Sequence, residues 1–200
     1  VPVDLRRRWN HSTHYHRFVL RQVPRGATTA LDVGTGDGLL AADLRERVPD
    51  VTGLDADAAV LARAAGTGAD VRWLVGDVVT APLPAGGYDV VTSLATVHHL
   101  PDLHAGLRRL GELTAPGGRL VVIGCARNAR PRDYLADLPG VVQHQVLART
   151  RGYWEHTAPV RATFPHTYDE TRLIAADALP GARWRRLALF RYAVLWTRPA

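Results

Sequence analysis

Between residues 28 and 124 short β-branched or apolar runs alternate with amphipathic segments, and this alternation constrains the fold more than any other feature of the 200-residue chain. Strands separated by helices pair in parallel, because each crossover returns the chain to the same end of the sheet. The spacing predicts strands over 29–33, 51–55, 71–75, 88–94 and 119–124, the last entered through the turn "PGG". The helix after the first strand carries Leu40, Leu44 and Val48 at four-residue steps, with Asp43, Arg45, Glu46 and Arg47 turned outward, and Pro49 ends it. A second helix over 58–65 stops at Gly66, where glycine can adopt the left-handed closing conformation. A third, over 101–113, starts on Pro101, whose missing N–H costs nothing there.

Beyond the fifth strand the pattern loosens. Residues 126–166 have the least regular composition, with Pro131, Pro139, Pro159 and Pro165 expected to break it into short helical pieces; excursions of this kind often carry function. Order returns at "TYDE", where Thr167 and Glu170 have the spacing of a capping box for a helix running to about residue 179. The tail "RWRRLALFRYAVLWT" is β-rich and long enough for two strands, but no Asn-Gly or Asp-Gly marks the bend between them.

Apolar residues make up 46% of the chain but never form the ~18-residue run of a membrane span. The basic start leads into "HSTHYHRF" rather than an export signal, so the expected location is cytoplasmic, with no membrane partner. Cys125 is the only cysteine, which excludes an internal disulfide framework and multi-cysteine metal sites. All 25 basic residues are arginine, so no lysine can serve as base or Schiff-base nucleophile. The net charge of +6 raises the question of an anionic partner. The arginines have no aromatic ladder between them to stack bases, so no specific nucleic-acid binding is expected.

The segment "LDVGTGDGLL" places Gly34, Gly36 and Gly38 between the first strand and its helix, two residues after Asp32. A dinucleotide fingerprint needs a small residue three positions after its second glycine, and Leu39 stands there. A phosphate-loop nucleotidase needs Gly-Lys, and the chain has no lysine. Asp32, Asp37 and Asp55 would repel a polyphosphate, so the expected ligand is not an anion. S-adenosylmethionine, with a sulfonium, an ammonium group and a ribose diol, suits these carboxylates.

The segment 28–124 resembles the class I S-adenosylmethionine-dependent methyltransferases, most closely the small ubiquinone/menaquinone-type branch. The resemblance rests on the Asp32 to Gly38 loop, on Asp55 ending "VTGLD" 21 positions after Gly34, on "GD" at Gly76 and Asp77, and on "YDVVTSLATVHHL" and "LTAPGGRLVV". It implies a Rossmann-like, doubly wound α/β fold with a mostly parallel seven-stranded sheet and an antiparallel C-terminal strand. One methyltransferase domain is expected over 1–200: an N-terminal lid helix (1–27), a cofactor-binding core (28–125), a substrate-side excursion (126–166) and a C-terminal helix with strands (167–200). The family pattern implies that Asp32, Gly34, Gly36 and Gly38 pass under the methionine part of the cofactor. Asp55 and Ala56 would meet the ribose, Asp77 and Val78 the adenine, with Leu94 beside them and Tyr15 or His16 on the lid.

His98 and His99 follow the fourth strand at the edge where α/β sheets bind ligands, and either could take a proton from the acceptor or merely shape the pocket. In "WNHSTHYH" His11 and His14 share a helix face, but His16 lies about 140° and 200° around from them, so no metal site is expected. The expected activity is methyl transfer to a small-molecule acceptor of the kind met in specialised metabolism, with O- or C-methylation favoured and the oligomeric state open. The alternatives are an RNA methyltransferase, against which Ser93 to Thr96 lacks the Asn/Asp-Pro-Pro-aromatic motif of base-amine methylation, and a non-catalytic binding protein on the same fold.

Overall fold

The computed structural model describes residues 9–154 and 164–200. Seven strands form one sheet in the order β3-β2-β1-β4-β5-β7-β6. β1 (Thr29–Val33), β2 (Asp50–Asp55), β3 (Arg72–Val75), β4 (Tyr88–Leu94) and β5 (Thr114–Gly124) pair in parallel. β7 (Arg191–Thr197) runs antiparallel to both β5 and β6 (Arg183–Leu187). The order reverses between β1 and β4, so their carboxyl ends open a crevice there.

Each face of the sheet is covered by helices whose apolar stripes the sequence already displays. α1 (His16–Leu20) and α2 (Leu39–Arg45) cover one face, with Val19, Leu40 and Leu44 buried against Ala30, Val90 and Ile123. α4 (Leu103–Leu113) and α6 (Tyr168–Ala178) cover the other, burying Leu107, Leu110 and Ala175 against Val91, Val122 and Val194. α3 (Ala58–Ala65) crosses from β2 to β3. Thr167 and Glu170 form the expected capping box at the start of α6.

Several local expectations are corrected. Gly66 closes α3 with right-handed backbone (φ −66°), and the left-handed residue is Gly68. α4 begins at Leu103 because Asp102 caps it, accepting from the Ala105 amide, and Pro101 stands outside. β5 starts at Thr114, five residues earlier than predicted, and runs through the "PGG" segment. The largest difference is α5 (Pro131–Arg151), a single 21-residue helix where broken pieces were expected. Pro131 occupies its first turn, where no N–H is needed, and Pro139 is carried inside at the loss of one backbone bond. Pro159 lies outside the described residues.

The C-terminal hairpin turns at residues 188–190, with Leu189 and Phe190 both left-handed at φ 52° and 62°. Such backbone costs a non-glycine residue ~1–2 kcal/mol. Leu189 is fully buried, which offsets that cost.

Candidate active site

A cavity of about 700 Å³ opens at the carboxyl ends of β1, β2 and β4. Its floor is the glycine loop. Gly34 (φ 69°) and Gly36 (φ 57°) line it in left-handed backbone, and a β-carbon on Gly36 would meet nothing within 4 Å. Gly38 does not line the cavity: it precedes α2 at φ 75°, and a β-carbon there would come within 2.5 Å of the Trp73 ring. The third glycine is thus packed against Trp73, whereas the first two line the cavity.

Asp32 is completely buried and lines the cavity, where its carboxylate accepts the Thr35 hydroxyl at 2.7 Å and the Thr92 hydroxyl at 2.8 Å. Burial pushes its pKa up, against the lowering effect of those two bonds and of nearby His16, while Asp55 pushes it further up. Asp32 thus braces the loop against β4 as well as facing the cavity. Asp55 accepts the Gly36 amide at 2.9 Å with one oxygen and the Asp57 amide at 3.0 Å with the other. The cap of α3 is Asp57, which accepts from Ala59 and Val60. Asp77 is exposed at the rim and accepts the Val79 amide at 2.8 Å; Val78, beside it, is buried, and Ala56 also lines the cavity.

The β4 exit supplies the opposite wall. Leu94, Ala95 and Thr96 line it, and Ala95 sits at φ 56° while its amide bonds the Ile123 carbonyl at 2.7 Å. A non-glycine residue held left-handed at a ligand cavity is a common place for strain to persist. Thr96 donates to the Gly34 carbonyl at 3.2 Å, linking this wall to the floor. His99 lines the cavity and His98 does not. The two rings lie 4.1 Å apart, with His98 buried and edge-on to Phe164 at 5.1 Å.

The segment from Asn10 to His16, where a lid was expected, contributes Asn10, Ser12, Thr13 and His16 to the cavity lining. Asn10 accepts the Ser12 and Thr13 amides at 2.8 Å each and so holds the short 3₁₀ turn Thr13–Tyr15. His16 lines the cavity and is pinned to α2 through Nδ1 and Asp43 at 2.7 Å. Tyr15, expected on the cofactor, is directed elsewhere: it is buried outside the cavity lining and its hydroxyl donates to the Ala188 carbonyl. His11 instead meets His144 of α5, Nε2 to Nδ1 at 2.9 Å, within a cluster that includes Trp9, Tyr153 and Phe190. The three histidines do not share one helix: His11 stands in a turn, His14 in the 3₁₀ turn beside Trp9 and His16 at the start of α1. Asn10, Thr96 and Trp154 are lining residues that the sequence reading missed. Asn10 and Thr96 lie inside the quoted stretches "WNHSTHYH" and "YDVVTSLATVHHL", and Trp154 lies in the 126–166 excursion expected on the substrate side, but none of the three is named there as a site residue.

The donor set can be tested against the expected cofactor. Among the described residues five carboxylates (Asp32, Asp37, Asp55, Asp57 and Asp77) and no arginine line the cavity. That is a set of acceptors for hydroxyls, amines and a cationic centre, and an adverse one for phosphate. It fits S-adenosylmethionine.

The fold and this cavity define a class I methyltransferase, and relatives agree. Residues 31–122 match the methyltransferase domain family. An uncharacterized methyltransferase of Mycobacterium tuberculosis is 43% identical over 193 residues, covering 96% of this chain and 98% of its own. A demethylmenaquinone methyltransferase of Thermus thermophilus is 39% identical over 99 residues, 46% of this chain and 45% of its own. A S-adenosylmethionine-dependent methyltransferase from Aquifex aeolicus shares the fold at TM-score 0.62 and 21% identity, covering 91% of this chain and 88% of that one. The chain belongs to the class I S-adenosylmethionine-dependent methyltransferases.

Proposed function

We propose that this enzyme transfers the methyl group of S-adenosylmethionine to an oxygen or carbon of a small-molecule acceptor, with His99 as the base. The observation that carries the reading is the position of His99 in the wall of a lidded cavity of about 700 Å³, the size range of small-ligand sites. The sulfonium supplies an already activated methyl group. The work left to the protein is to hold the acceptor in line, an effect that can contribute roughly 7 to 11 kcal/mol, and to remove its proton.

On this reading Asp55 accepts hydrogen bonds from the ribose diol, with Ala56 beside it, and Asp77 accepts from the adenine amine while Val78 meets the ring. Gly34 and Gly36 let the backbone approach the methionine part, which Asp32 and Leu94 flank. His16 and Asn10 close the lid, and with Trp154 they exclude water from the reacting centre. The setting is cytoplasmic.

The arginines support a small acceptor over a nucleic acid, since many are engaged within the protein. Arg109 donates to the Val78, Ala81 and Leu83 carbonyls, and Arg186 holds Asp133 and Asp137. The test is transfer of a labelled methyl group from S-adenosylmethionine to a panel of hydroxylated and enolisable small molecules, with total RNA in parallel. Label in RNA alone overturns the proposal.

A further inference from the structure

α5 rests on the protein through Gly140, Leu147 and Ala148 together with its acidic and histidine side chains, and turns a largely apolar stripe outward. Asp133 and Asp137 turn in onto Arg186, at 3.1 and 2.8 Å, and His144 turns in onto His11. Facing out are Tyr134, Leu135, Leu138, Val142 and Val146, each between 53% and 66% exposed. At 3.6 residues per turn these five share one face about 120° wide. Their combined patch is of the order of the ~300–600 Å² that a monomer's largest apolar patch reaches, and such patches mark interaction sites.

The charges around this stripe are of one sign. By the same helical count its face carries no carboxylate, since both acids of α5 point inward. Arg130 and Arg132 flank its first turn and share the single Asp169 carboxylate. Arg149 continues the stripe seven residues after Val142 and has no ion-pair partner among the described residues, whereas Arg151 falls by the same count on the inward side, near His14. A second copy is a poor occupant. Antiparallel pairing of two α5 helices sets Arg149 toward Arg130 and Arg132, and parallel pairing sets Arg149 against itself.

We propose that the outward face of α5 docks the enzyme onto an anionic lipid bilayer. The helix lies in the plane of the surface, its apolar stripe at the boundary of headgroups and acyl chains and its arginines on lipid phosphates. Its 21 residues span about 31 Å along that plane. This is surface contact: among the described residues no helix is long and apolar enough to cross a membrane. Tyr153, 47% exposed, and Trp154, in the cavity wall, follow α5 directly, so docking brings that side of the cavity to the lipid.

Co-sedimentation of the full chain with vesicles tests this without any acceptor. Vesicles of phosphatidylcholine and phosphatidylglycerol in equal parts should bind the protein at least about tenfold more tightly than phosphatidylcholine alone, with the difference falling as salt rises. Leu135→Glu with Val142→Glu should abolish binding and leave the thermal midpoint unchanged, since both side chains are exposed. Arg149→Gln should weaken binding to the mixed vesicles several-fold, from about 1 kcal/mol per arginine at the surface. The proposal fails if the protein ignores both vesicle types, or if the double glutamate variant binds as well as the parent. It fails equally if light scattering finds a dimer that this variant splits, because the stripe then belongs to a second copy.

Discussion

Gly34 and Thr96 claim the same space. A β-carbon on Gly34 would lie 2.1 Å from both Cγ2 and Oγ1 of Thr96, and Gly34 is left-handed besides, at φ 69°. The first glycine of the loop is therefore demanded twice, by conformation and by contact. Gly34→Ala should cost upward of ~3 kcal/mol in the ligand-free protein, since overpacking and strain add. Gly36→Ala, with open space around its β-carbon, should cost only the ~1–2 kcal/mol of left-handed backbone. Chemical denaturation of both variants checks the order, and equal losses would remove Thr96 from the explanation.

Asp55 joins the floor of the cavity to β2 through its bond to the Gly36 amide. Asp55→Ala should weaken S-adenosylhomocysteine binding at least about tenfold, from the roughly 1.5–3 kcal/mol of a charged hydrogen bond. The ligand-free protein should lose a smaller amount, about 1 kcal/mol, because the loop gives up one anchor. Calorimetry and denaturation read the two quantities separately. Normal affinity with a large loss of stability would restrict Asp55 to holding the loop.

The parallel core and its cavity were legible because they rest on local signals: alternating apolar runs, loop glycines, and carboxylates at strand ends. What stayed illegible depends on distant partners. Gly38 looks like Gly34 in sequence, yet its neighbour is Trp73, 35 positions away. The hairpin at 188–190 could not be placed because leucine and phenylalanine hold the left-handed positions that Asn-Gly would have marked. α5 was misread because its prolines suggested breaks, and its apolar residues form a stripe instead of the continuous run sought for a membrane span.

The lid clasp should respond to acid. Burial first, then Arg191, His144 and His14, hold the His11 pKa down at about 4, and burial followed by Arg151 lowers that of His14. A histidine whose folded pKa lies below its unfolded value of 6.5 takes up fewer protons in the folded state between the two, so its stabilising effect is complete above about 6.5. That effect is lost as pH falls toward about 4. Stability should decline through this window, and His11→Gln should flatten the decline. A variant with the parent's full pH slope would place the acid sensitivity elsewhere.

His99 faces the cavity while His98 is buried against it and against Phe164, so the two histidines should fail differently. If His99 takes the acceptor's proton, His99→Gln should lower turnover by roughly 100-fold while S-adenosylhomocysteine affinity stays intact. The parent's rate should then rise with pH as the base loses its proton, and that rise should vanish in the variant. His98→Gln removes a buried ring that lies 4.1 Å from the base, tilted at 38°, but outside the cavity wall, so it should lower thermal stability and change the rate few-fold, with the pH profile retained. A His99→Gln enzyme that only raises the acceptor's Michaelis constant would make this histidine a wall of the pocket. The chemistry would then fall to an acceptor that needs no base, such as a thiolate or a tertiary amine.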